Sequence, residues 1–276
     1  MTITSPPTGS ARVHTDPALA RRIIADSRQK FTADYPDLKL APVVALICAF
    51  EEEQNIGAVL AAMPKSVHGL DVSTLVIVDG GSDHTDQVSL DAGAITFVLT
   101  ENLGHGYALR VGYALCVELA ARYVVTLDAD GQNDPAEIPV MLQPLIDDEA
   151  DFVVASRRLG QDTTTDRFRK AGVRVFSSIM SAMGGTKLTD TSNGYRALRV
   201  TMLDDVTHRL TQSQYQTAEL LIVCMKRGWR VTERPTLWLP RASGTTKKGK
   251  NYLFGVRYGR VVLTTWWRER KGVGRD

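Results

Sequence analysis

From residue 42 onward, apolar and polar positions fall into alternating blocks. Runs dense in Val, Ile, Leu and Ala occupy 43–48, 74–78, 123–127 and 151–155, with a weaker run at 94–99, and each ends in polar residues. Unbroken apolar runs bounded by turn residues predict strands buried on both faces of a largely parallel sheet. Between them, 55–63, 106–121 and 135–146 carry apolar residues at helical spacing. This alternation predicts a doubly wound α/β sheet flanked by helices. In such a sheet, ligands bind beyond the carboxyl ends of the strands. The residues closing the strands are therefore the ones to inspect: Glu51 to Glu53, Asp79 to Asp83, and Asp128 to Asp130.

Outside that block the pattern changes. Residues 1–15 are rich in Ser, Thr, Pro and Gly and read as a disordered arm. Asp16 as N-cap and Pro17 in the first turn predict a helix over 16–31, within an N-terminal extension of 16–41. After Ser156 the spacing predicts helices over 168–183 and 217–227, the second closed by Gly228, and a short strand over 231–234. There is no internal repeat and no linker within 42–248. The final segment, 249–276, mixes aromatic, aliphatic and basic residues. It fits an amphipathic helix lying on a membrane surface, with Trp266 and Trp267 beside Arg268, Arg270 and Lys271 at headgroup level, or one packed on the α/β unit.

Composition narrows the class. Of 276 residues, 43% are hydrophobic and 23% charged, as in a soluble globular protein. A formal net charge of +2 gives no general pull on nucleic acid. The three cysteines, Cys48, Cys116 and Cys224, lack metal-ligand spacing and read as buried small hydrophobes in a reducing compartment. No cationic start leads into an apolar run, and no uncharged stretch of about 18 apolar residues occurs. A cytoplasmic protein is expected, at most peripheral at the inner face of a membrane.

Four segments carry candidate chemistry. In 123–135 (YVVTLDADGQNDP) an apolar strand ends in Asp128-Ala129-Asp130. Residues i and i+2 of a strand point the same way, so both carboxylates can face one site. Paired hard oxygens suit Mg²⁺ or Mn²⁺, with a substrate diphosphate completing the shell. In 74–85 (TLVIVDGGSDHT), Asp79 closes a strand and can accept from a ribose hydroxyl or a base N–H, while Gly80-Gly81 admits close backbone approach. In 49–57 (AFEEEQNIG), acidic residues precede a helix, where its dipole favours them. In 102–112 (NLGHGYALRVG), a Gly-rich turn opens a helix whose N-terminus can take a phosphate. Each of these, alone, also fits an ordinary turn.

Taken in order, the segments resemble family 2 glycosyltransferases of the GT-A fold, over roughly 42–248. The resemblance implies that Ala49, Phe50 and Glu51 line the nucleotide pocket and that Asp79 is the nucleoside-binding carboxylate. It puts Asp128 near the sugar or ribose and makes Asp130, with Asp128, the metal-binding pair. Gly106, Ala129 and Gln132 join the nucleotide-sugar site. Within the family, later segments are similar to polyprenyl-phosphate hexose synthases: DFVVASRR at 151–158, DTSNGYRAL at 190–198 and RASGTTKKGKN at 241–251. These place Asp190, Arg157, Arg241 and Lys247 in the catalytic centre. Where the family usually has Asn, Asp and Lys, this chain has Glu51, Gly80 and His105.

The implied reaction is inverting transfer of a hexose from a nucleotide-diphospho-sugar to a polyprenyl phosphate. Transfer to a hydroxyl of a soluble acceptor, with Asp190 or Glu219 as base, is the alternative, and a homodimer stays open. A Gln-x-x-Arg-Trp motif is absent, which argues against polysaccharide synthesis. A nucleotidyltransferase needs a basic Gly-rich loop after the first strand, where this chain has Glu51, Glu52 and Glu53. A non-catalytic sugar-nucleotide binder has no need of the Asp128–Asp130 pair.

Overall fold

The structure is a computed structural model that describes residues 16–163, 167–241 and 251–272. The expected N-terminal arm therefore lies outside the described residues. Helix α1 (Pro17–Asp34) opens as the sequence predicts, with an Asp16 side-chain oxygen accepting the Ala18 amide at 2.9 Å. Its buried face (Ala20, Ile23 and Phe31) sets the Phe31 ring 5.2 Å from that of Phe97 on the sheet.

The alternating block runs β1 (Val43–Ala49), α2 (Ile56–Ala61), β2 (Ser66–Val67), β3 (Leu70–Asp79), α3 (Thr85–Asp91), β4 (Ile95–Leu99), α4 (His105–Glu118), β5 (Tyr123–Asp128) and α5 (Ile138–Ile146). Strand β1 is central and parallel to both β3 and β5, and β4 pairs parallel with β3. All five expected strands are present. Their shared register sets Ala49 beside Val78, Asp79 beside Leu99 and Asp128 beside Cys48. The carboxyl ends of β1, β3 and β5 thus lie side by side on one edge.

The rest of the chain is β6 (Phe152–Asp162), α6 (Arg167–Gly184), β7 (Arg196–Arg199), α7 (Val200–Val206), α8 (Gln216–Lys226), β8 (Val231–Trp238) and α9 (Asn251–Gly272). Strand β7 inserts antiparallel between β5 and β6, and β8 closes the edge parallel to β6. The sheet order is β2-β3-β1-β5-β7-β6-β8, with β4 on β3. Four-residue β7 gives no periodic signal, and the outer half of β6 is exposed, which is why neither was visible in the apolar pattern.

Alternate residues of β1 enter two cores. Val44 and Leu46 face α4 and the C-terminal helices, while Val43, Ala45 and Ile47 face α2 and α5. Burying a Leu- or Ile-sized side chain contributes about 1.5–3 kcal/mol, and these two layers fix the sheet whose edge carries the site. Cys116 and Cys224 are buried thiols and Cys48 is half-buried, all unpaired. Among the described residues no helix is long and apolar enough to cross a membrane.

Candidate active site

At the tips of β1 and β3, carboxylates shape two loops by accepting backbone amides. Asp83 accepts the Glu53 amide at 3.1 Å and the Thr85 amide at 3.2 Å, and Glu53 accepts the His84 amide at 2.9 Å. Ala49 is buried and Phe50 half-buried beside them, and Glu51 adopts a left-handed φ of 52°. Asp79 is buried and accepts the amides of Leu103 at 2.8 Å and Gly104 at 2.9 Å. Desolvation pushes its carboxyl up to about 7, with the two amides pulling the other way. Asp79 thus fastens the turn between β4 and α4.

That turn bears on the phosphate expected at the start of α4. The amides expected to cradle a phosphate at the start of α4 are engaged by the protein: Leu103 and Gly104 with Asp79, and Gly106 with the Ser213 carbonyl at 2.8 Å. Gly106 is needed for a different reason. A Cβ there would lie 2.2 Å from the Gln212 carbonyl oxygen, so glycine allows α4 to abut the 212–213 loop. Packing by itself is enough to require this glycine.

Beyond β5 the chain turns sharply. The Asp128 amide donates to Asn133 Oδ1 at 3.1 Å, and Asp130 Oδ1 accepts the Gln132 amide at 3.0 Å. The turn is pinned to the exit of β8: the Leu239 amide donates to the Gln132 carbonyl, and Gln132 Nε2 donates to the Leu239 carbonyl at 3.2 Å. Asp128 is half-buried, whereas Ala129 and Asp130 are buried. Gly194 lets a neighbouring loop approach, since a Cβ there would sit 3.1 Å from Asp128 Oδ1. Arg241 donates to Asp130 Oδ2 at 2.7 Å and to Glu52 Oε1 at 3.0 Å. The sequence placed Arg241 in this centre, and the structure brings it onto Asp130; Lys247 lies outside the described residues.

Among the described residues no group of three or more His, Cys, Asp or Glu forms a metal site by itself. The donor set at the β5 tip nevertheless fits a hard divalent cation with an incomplete protein shell. It offers two carboxylates, and one already holds a cationic group, the Arg241 guanidinium.

On the far side of β5, the Arg157 guanidinium meets Asp190 in a two-point pair, Nε to Oδ2 at 2.6 Å and Nη2 to Oδ1 at 2.8 Å. Both are buried. Burial alone would raise the Asp190 carboxyl, but the hydrogen bonds and charge of Arg157 outweigh it and hold the group below the usual carboxylate range. Glu233 on β8 accepts the amides of Thr189 and Asp190, each at 2.8 Å, fixing the loop that carries Asp190. Arg157 also stacks on the Trp238 ring, 4.8 Å from its centroid. Above this pair lies a cleft of about 320 Å³ lined by Arg157, Arg158, Lys170 and Arg174, with Asp162 and Asp190. The charge of Asp128 is felt at Arg157, so the cleft and the β5 tip are neighbours.

Residues 44–207 match the family described as Glycosyl transferase family 2. The chain belongs to this family. A dolichyl-phosphate hexose transferase of Haloferax volcanii is 31% identical over 221 residues, 80% of this chain and 92% of that one. A UDP-N-acetylglucosamine–dolichyl-phosphate N-acetylglucosaminyltransferase of Methanococcus voltae is 28% identical over 235 residues, covering 78% and 92%. In fold, the chain matches glucosyl-3-phosphoglycerate synthase of Mycobacterium tuberculosis, solved with Mn²⁺, UDP and glucosyl-3-phosphoglycerate. The TM-score is 0.61 at 16% identity, over 87% of this chain and 83% of that one. The architecture is that of a GT-A glycosyltransferase.

In this family 2 glycosyltransferase, Glu219 departs from the expected role of base. It is fully buried, accepts the amides of Thr211 at 3.0 Å and Gln212 at 2.9 Å, and receives Arg268 of α9 at 2.9 Å. A carboxylate with no exposed surface cannot reach an acceptor; it anchors the C-terminal helix. The same contact turns Arg268 inward, and Trp266 packs on the core, so neither belongs to an outer face. Sequence reading singled out Glu52 only within the acidic 51–53 run, and it missed Arg158, Lys170, Arg174, Glu233 and Trp238. Lys170 and Arg174 could have been found from their i,i+4 spacing on an expected helix. Glu233 and Trp238 act through contacts distant in sequence and gave no signal.

Proposed function

We propose that this glycosyltransferase moves a hexose, with inversion at the anomeric carbon, from a nucleotide-diphospho-sugar to a polyprenyl phosphate. The basic cleft beside the β5 tip is the observation that carries this reading. An acceptor phosphate is already anionic at pH 7 and needs cations for docking, whereas a hydroxyl acceptor needs a base within reach. Arg157, Arg158, Lys170 and Arg174 supply the cations. Asp190 is tied to Arg157 and held below the usual carboxylate range, which makes it a poor proton acceptor. The relatives' names, which include an undecaprenyl-phosphate 4-deoxy-4-formamido-L-arabinose transferase of Aeromonas hydrophila, favour the same acceptor class.

A divalent ion, Mg²⁺ or Mn²⁺, held by Asp128 and Asp130 would supply Lewis-acid neutralisation of the departing diphosphate. Arg157 and Arg241 add fixed positive potential on either side of it. Ala49, Phe50, Glu51 and Asp79 form the nucleoside end of the site, with Gln132 holding the turn that presents Asp130. The exposed face of α9 repeats Val256, Arg260, Leu263, Trp267 and Lys271 at helical spacing, flanked by Arg257 and Arg270, with no acidic residue on it. This face suits peripheral contact with an anionic membrane, where a lipid acceptor resides. Trp267→Glu should lower cosedimentation with phosphatidylglycerol vesicles, and equal pelleting of both proteins refutes the contact.

The test of transfer uses the full chain, UDP- and GDP-hexoses, Mn²⁺, and either a short polyprenyl phosphate or 3-phosphoglycerate. Lipid-linked product is expected, and Asp130→Ala should slow its formation on the order of 10³-fold with unchanged circular dichroism. Wild-type rates from that variant would remove the metal role. Transfer to 3-phosphoglycerate, with none to the lipid, would overturn the acceptor.

A further inference from the structure

The geometry points to Arg241 as a resident cation that occupies the metal-binding carboxylate until the donor arrives. This inference rests on the reading of Asp128 and Asp130 as metal ligands. Arg241 reaches Asp130 because the β8 exit is clamped to the β5 turn by the Leu239–Gln132 backbone bond. Its guanidinium then spans two buried carboxylates from different strand tips, Asp130 at 2.7 Å and Glu52 at 3.0 Å. Each carboxylate is fixed from behind, Glu52 by Asn55 Nδ2 at 2.7 Å and Asp130 by the Gln132 amide at 3.0 Å. The two acids form a preset anionic slot, and an arginine fills it.

A divalent ion approaching Asp130 must displace one hydrogen bond of the guanidinium and meet its charge a few ångströms away. Repulsion between like charges in a partly buried site is large. The donor changes that balance, because its diphosphate oxygens are a two-point partner for the arginine fork. Metal alone therefore binds weakly. Metal and diphosphate enter together, and Arg241 passes from Asp130 to the phosphates. Glu52 is the positioning residue in this exchange: it keeps one guanidinium nitrogen while Asp130 is released.

Binding of Mn²⁺ alone to the full chain, followed by electron paramagnetic resonance, tests the idea without turnover. Arg241→Met keeps the apolar stem and removes the charge, and should tighten Mn²⁺ binding by about tenfold or more. Arg241→Lys, which keeps a charge but loses the fork, should fall between the two. If the Met variant fails to fold, Arg241→Gln gives the same readout. Asp130→Ala separates the outcomes. Lost binding in that variant, with Mn²⁺ affinity unchanged or weaker in Arg241→Met, overturns the role of Arg241 and leaves the metal site standing. Wild-type affinity in Asp130→Ala overturns the metal site itself.

Discussion

Carboxylates do different work in the two halves of the sheet. Around β1, β3 and β4, Glu53, Asp79 and Asp83 accept backbone amides. Around β6, β7, β8 and the C-terminal helices most of them meet arginines: Asp190 with Arg157, Asp151 with Arg230, Asp205 with Arg227, and Glu219 with Arg268, whereas Glu233 accepts the amides of Thr189 and Asp190. An amide-bound carboxylate shapes a loop without bringing a cation, so the first half stays anionic at its edge and suited to a metal. An arginine-bound carboxylate does the reverse: it holds a guanidinium rigid, while Arg158, Lys170 and Arg174 face the cleft. The seam between the halves is the contact of Arg241 with Asp130 and Glu52.

The comparison breaks first at the buried ion pair. Asp190→Ala leaves the Arg157 charge buried without its partner, and losing one member of such a pair typically costs about 3–5 kcal/mol. Urea unfolding should show a lower midpoint with an unchanged slope. If Asp190 were a base and not a positioning group, the same variant would lose turnover while keeping wild-type stability, and that result would erase the contrast drawn between the halves.

Glu219 comes next. Removing its carboxylate leaves two backbone amides without their acceptor and takes one of the two carboxylates from Arg268, at a cost of about 2–3 kcal/mol. The loss should fall on the docking of α9, so Glu219→Ala should expose the C-terminal helix to limited proteolysis ahead of the sheet. Cleavage at equal rates in both proteins would mean that the apolar face of α9, with Tyr258 and Val262, holds it alone.

What the sequence disclosed follows the same division. Strands β1, β3 and β5 are buried on both faces, so their apolar runs and closing acids, Asp128, Asp130 and Asp79 among them, stood out. Helix α1 was legible from Asp16 and Pro17, and the end of α8 from Gly228, which takes a φ of 83°. The half around β6, β7 and β8 is built differently. Strand β7 pairs through Arg196 to Arg199, a segment with no strand signature, and Arg196 is fully buried against the carbonyls of Thr191 and Asn193. A buried arginine satisfied by backbone reads, in sequence, like a surface charge. Glu219 misled for the same reason: its partners Thr211, Gln212 and Arg268 come from a loop and a distant helix.

Asp79 offers the sharpest test, through pH. Its carboxyl is pushed from an ordinary 3.8 up to about 7, mainly by desolvation. Below about pH 4 the side chain is protonated in both folded and unfolded chains and adds no pH dependence. Between about pH 4 and 7 the unfolded chain releases a proton that the folded chain retains, so stability falls as pH rises, by up to about 1.4 kcal/mol per unit. Above that range the slope vanishes. Asp79→Asn cannot titrate and should flatten this segment of the curve, with a constant offset because the amide oxygen cannot replace both carboxylate acceptors for Leu103 and Gly104. A parallel curve for the variant would show that the two amides keep Asp79 ionised throughout. The anionic edge around β1, β3 and β4 would then be present at every working pH.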